Sequence, residues 1–240
     1  MVVTKIRRKL TDFLYRAPML MNSAKKTIAP VTAGTLAMVS LCMAGVELLM
    51  WTMYRYANVS PLLFLGASRI IEGAVMLGAA FVSQHRLWVL GLSRGTILAG
   101  ARKGLLWSAG FAIVLLVVCP ALVMMGIDPS GFVKTALPSK PNRLLLFILV
   151  GGILSPVAEE LFFRGFLYGF LRRWGALLAV VTSSLLFALL HVALKGSFLV
   201  PVTGGLILAV LYEIERNLMA PITLHMLGNL TIFSISVLLR

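Results

Sequence analysis

Seven runs of predominantly apolar residues recur along the chain, near 31–51, 60–83, 104–126, 143–170, 175–194, 197–212 and 219–239. A helix needs about 20 residues to cross the hydrocarbon core of a bilayer. Inside lipid it also satisfies its own backbone donors and acceptors, which an open strand cannot do. The pattern therefore predicts an all-α fold: a polytopic transmembrane helical bundle of about seven spans, with six to eight possible. A hydrophobic content of 60% against 12% charged residues excludes an ordinary soluble domain. The fourth run is too long for one straight span and contains Pro156, which predicts a kink or break just before Glu159. The sixth run is short and contains Pro201, Gly204 and Gly205, so its ends are the least defined.

The formal charge of +14 would suggest nucleic acid in a soluble chain, but here the basic residues fall between apolar runs. There they set orientation and meet anionic headgroups, so the lipid bilayer is the expected partner and nucleic acid is not. Lys5, Arg7, Arg8, Lys9, Arg16, Lys25, Lys26, Arg86, Arg94, Arg102, Lys103, Arg172, Arg173 and Arg216 fall on the side of the N-terminus. Arg55, Lys134, Lys140, Arg143, Lys195 and Arg240 fall on the other. The positive-inside rule then predicts a cytoplasmic N-terminus. Residues 1–30 interleave these basic residues with Ile6, Leu10, Phe13 and Leu14 at helical spacing, which predicts an amphipathic segment on the cytoplasmic face ahead of a membrane domain at 31–240. A cleavable signal peptide is not expected, because the first apolar run is too long for an h-region. Cys42 and Cys119 lie in apolar stretches without metal or redox spacing, and read as core side chains. Asp128-Pro129-Ser130-Gly131 carries turn chemistry in the longest loop.

Ionisable groups at membrane depth are costly and point to function. In the helix after Pro156, Glu160 and Arg164 are four residues apart and share a face, so they can pair. Glu159 is turned by about 100° from Glu160 and has no local partner, which makes it the candidate reactive carboxylate. His191 ends Phe187-Ala188-Leu189-Leu190-His191 in the next run, and alone it would read as a packed or interfacial histidine. His225 and Asn229, again four apart, offer an imidazole and an amide to one point, although an interhelical hydrogen bond would explain Asn229 equally. Together these groups supply a general-base pair for a water and donors for an oxyanion, which suffices for peptide hydrolysis.

The three elements in order, EExxxR, FxxxH and HxxxN, resemble the CPBP family of type II CAAX prenyl endopeptidases and their bacteriocin-processing and immunity relatives, the Abi proteins. The likeness covers about 144–239 and implies an all-helical intramembrane protease core of the glutamic type. By that resemblance Glu159 would be the catalytic base acting with His191 on water, and His225 with Asn229 would form the oxyanion site. Glu160 and Arg164 would be positioning residues, and no cofactor would be needed. The implied substrate is a membrane-associated polypeptide: a leader, a C-terminal tail or a CAAX-like end. The compact length and short loops suggest a prokaryotic cytoplasmic membrane.

Rival readings use the same residues. Glu159, His191 and His225 have the ligand types zinc prefers, although HExxH is absent. The only aspartates, Asp12 and Asp128, lie outside the apolar runs, which disfavours a paired-aspartate protease. Gly91-Leu92-Ser93-Arg94-Gly95 matches GxSxG but lies in a basic loop, without the strand-turn-helix setting that pattern needs. A non-enzymatic transporter, scaffold or immunity-type protein would also place charges in its spans. Glu47, Arg69 and Glu72 lie in early runs, with Arg69 and Glu72 three apart on one face.

Overall fold

The computed structural model describes residues 31–56, 59–84, 90, 92, 94–195 and 198–239. The amphipathic segment expected at 1–30 lies outside them, as do Gly91 and Ser93 of the GxSxG match. Among the described residues the fold is 88% helical with no strand. All seven apolar runs are helices: α1 Ala33–Tyr56, α2 Pro61–Gln84, α3 Arg94–Met124, α5 Pro141–Trp174, α6 Ala176–Lys195, α7 Leu199–Glu215 and α8 Met219–Leu238. A single turn, α4 Ser130–Val133, caps the loop before α5. Five helices, α1, α2, α3, α5 and α8, are long and apolar enough to cross a membrane. At 17 residues α7 is about 25 Å long, short of the roughly 30 Å hydrocarbon core. Asp128 closes the outer turn by accepting the Ser130 hydroxyl at 2.7 Å and the Ser130 backbone N–H at 2.9 Å. Those two donors hold its carboxyl below the usual range.

α5 is the hub of the bundle. It packs against α2, α6, α7 and α8, and its residues Leu161, Phe166, Tyr168 and Arg164 are almost wholly covered. α1 and α3 form the rim: Leu41, Leu106 and Leu116 are each more than 70% exposed, as lipid-facing side chains are. Cys42 is exposed on α1 and Cys119 half-buried on α3, so neither is the core residue the sequence suggested. Apolar composition alone cannot tell a side chain packed in protein from one on the outer surface of the bundle. α3 meets α8 through Gly104, and Gly100 faces Asn217 just ahead of α8. A Cβ at Gly104 would lie 2.6 Å from the Ala220 carbonyl oxygen and 2.6 Å from Thr223 Cβ, so only hydrogen permits this approach.

The break expected at Pro156 takes another form. The helix runs through it, loosened into π-helical turns at Val150–Leu154 and Leu161–Tyr168 on either side of Ser155–Glu160. Ser155 N–H bonds the Val150 carbonyl, five residues back. In that register the Gly151 carbonyl would look to the nitrogen of Pro156, which has no hydrogen. Asn229 Nδ2 on α8 fills the gap, donating to Gly151 O at 2.9 Å. Proline is tolerated at membrane depth because a neighbouring helix supplies the missing donor.

Candidate functional site

The second loosened segment begins where the carboxylates sit. Glu160 is fully buried, and its Oε1 accepts Arg164 Nη1–H at 2.8 Å, as the i,i+4 spacing predicted. Arg164, also fully buried, donates Nη2–H to the Gly205 carbonyl of α7 at 3.0 Å. Its guanidinium lies 4.9 Å from the Phe187 ring centre. The same Glu160 Oε1 accepts Nδ1–H of His225 at 2.8 Å. Glu160 thus fixes both Arg164 and His225, a tertiary link the sequence could not show.

Glu159, turned to the adjacent side of α5, meets both imidazoles. Its Oε2 is 3.6 Å from His191 Nε2 and 3.7 Å from His225 Nε2. These separations exceed a hydrogen bond, and Glu159 Oε2 is buried without a partner. The tautomers follow from the other ring nitrogens. His191 Nδ1 lies 2.8 Å from the Phe187 carbonyl, which can only accept, so Nδ1 carries the hydrogen. His225 Nδ1 likewise faces a carboxylate. Both Nε2 atoms are therefore the ring nitrogens turned toward Glu159 Oε2. The three atoms surround a point about 2.8 Å from each, the distance at which a water is held.

Phe187 organises the two rings, stacking on His191 at 4.1 Å and meeting His225 edge-on at 5.7 Å. Its only trace in the sequence was the FxxxH spacing. Asn229, expected to share a focus with His225, spends its one side-chain hydrogen bond on Gly151. The second Nδ2 hydrogen remains. The Glu159, His191 and His225 donor types suit zinc, and each Nδ1–H is held as in a metal's outer shell. Even so, no three His, Cys, Asp or Glu groups among the described residues stand in the arrangement of a metal centre.

Fold and site together define a polytopic helical membrane protein with an acid–imidazole centre enclosed by four helices. Residues 141–231 match the family described as Type II CAAX prenyl endopeptidase Rce1-like. The matched stretch contains every one of the candidate site residues from Glu159 to Asn229. No curated protein and no solved structure matches the chain.

Proposed function

We propose that the protein is an intramembrane endopeptidase that hydrolyses a peptide bond in a membrane-associated polypeptide. The observation that carries this is the convergence of Glu159 Oε2 with two imidazole Nε2 atoms at 3.6 and 3.7 Å. A water held there gives a proton to the Glu159–His191 pair as its oxygen attacks the scissile carbonyl carbon. The developing oxyanion is met by Nε2–H of His225 and by the second Nδ2–H of Asn229. Glu160 holds His225 by its other nitrogen, and Arg164 holds Glu160. Collapse of the tetrahedral intermediate breaks the C–N bond, and the proton on Glu159–His191 passes to the leaving amine.

The bilayer delivers substrate to such a centre, which suits a leader peptide, a C-terminal tail or a CAAX-like end. The distribution of basic residues supports a cytoplasmic N-terminus, and the short loops a prokaryotic cytoplasmic membrane. The test is purified wild type and Glu159→Gln in lipid vesicles, each given membrane polypeptides from cells lacking the protein. New termini with wild type alone are expected. Equal products from both proteins, or none from either, would remove the endopeptidase reading in favour of a scaffold or immunity-type role. The outer-shell pattern at the histidines supports zinc as the second reading. Stoichiometric zinc that copurifies, and is lost together with activity on His191→Ala, would establish it.

A further inference from the structure

Beside the catalytic cluster lies a charge triad that the proposed mechanism does not use. Arg69 on α2 donates Nη1–H to Glu72 Oε2 at 2.6 Å and Nη2–H to Glu47 Oε1 of α1 at 2.8 Å. One guanidinium thus serves two carboxylates. Glu72 is 1% exposed, and its Oε1 has no hydrogen-bond partner. Glu47 is 48% exposed and can be reached from outside the bundle. The triad is next to the hydrolytic centre: α2 packs on the part of α5 that carries Glu159, with Gly66, one turn before Arg69, set against Val150 and Leu154.

Within the triad two carboxylates, those of Glu47 and Glu72, share one guanidinium, that of Arg69. Surplus negative charge in apolar surroundings is costly until a cation joins it. We infer that Glu47 and Glu72 make the centre select a polypeptide with a Lys or Arg side chain close to the bond that is cut. An extended peptide advances about 3.3–3.6 Å per residue, so with the carbonyl at Glu159 the side chains one or two positions away are the ones that can extend toward α2 and its triad. A neutral or acidic side chain there leaves the surplus carboxylate unpaired, which is how a site rejects as well as accepts. The inference rests on the endopeptidase reading.

The experiment maps new peptide termini in cells expressing wild type, Glu159→Gln or Glu47→Gln at matched levels. Termini that depend on Glu159 should carry Lys or Arg within two residues of the cut, and Glu47→Gln should lower their yield about tenfold. Replacing that Lys or Arg by Gln in the identified substrate should lower cleavage by wild type to the same degree. It should add nothing with Glu47→Gln. The substrate-side change keeps the test valid even if the Glu47 or Glu72 variants fold poorly. Glu159-dependent termini without a nearby basic residue, or unaffected by Glu47→Gln, would overturn the inference and leave the endopeptidase reading intact. An absence of any Glu159-dependent terminus would overturn both.

Discussion

At the scale of single residues the site is a division of labour between neighbours. Glu160 is locked by a guanidinium and an imidazole, while Glu159, one position earlier, is left with a bare oxygen. Arg164→Ala strands Glu160 in an apolar interior, and breaking such a buried pair costs about 3–5 kcal/mol. We predict a marked fall in folded yield, measured by size-exclusion chromatography in detergent; a monodisperse, fully active variant would refute that role. The Glu160–Arg164 pair was legible in the sequence because both partners lie on one helix turn. The His225–Glu160 bond was not, since it joins residues 65 apart whose approach depends on how α8 packs. Nor was the place of Glu47, which completes the Arg69 triad from α1.

At the scale of elements, α5 and α8 are joined by a backbone defect and its repair. The π turn and Pro156 orphan the Gly151 carbonyl, and Asn229 pairs it. Removing a partner from a buried carbonyl costs about 1–3 kcal/mol. Asn229→Ala should therefore lower stability by that amount, as well as slow turnover about 10²–10³-fold through the lost oxyanion donor. In a Pro156→Ala background, which returns an N–H to the helix, the stability loss should shrink while the rate loss stays. Thermal unfolding of the four proteins reads the first, and peptide cleavage the second; an equal stability loss in both backgrounds would contradict the repair. The sequence announced trouble at Pro156 but not its form, because a break and a π register begin from the same missing hydrogen. Gly104 makes the other elemental prediction. Gly104→Val should disrupt the α3–α8 contact and lower folded yield, whereas Gly110→Val, with open space around its Cβ, should not. Similar yields for the two variants would show the close approach to be dispensable.

At the scale of the molecule, the periodicity of apolar runs was enough to place all seven helices, since bilayer thickness sets a length that composition must meet. What the runs could not show is which helices are enclosed. α3 is the more apolar, with mean hydropathy 2.4 against 1.9 for α5, yet α5 is the hub and α3 the rim. Only residues such as Glu159, Glu160 and Arg164 mark the enclosed one, because charge there must face protein or water. Orientation is a prediction of the same scale. With Cys42 and Cys119 replaced by alanine, a cysteine at Lys140 should react with an impermeant maleimide in intact cells. One at Arg173 should react only after permeabilisation, and the reverse pattern would invert the topology.

The central claim is that Glu159 and His191 act as one unit on one water. The measurement that tests it most directly compares cleavage rates of one polypeptide by wild type, Glu159→Ala, His191→Ala and the double variant. Groups that act together lose their effect together. The account predicts that each single change removes the activity and that the double variant is no slower than the slower single. Near-wild-type cleavage by either single variant, or losses that multiply in the double, would contradict it.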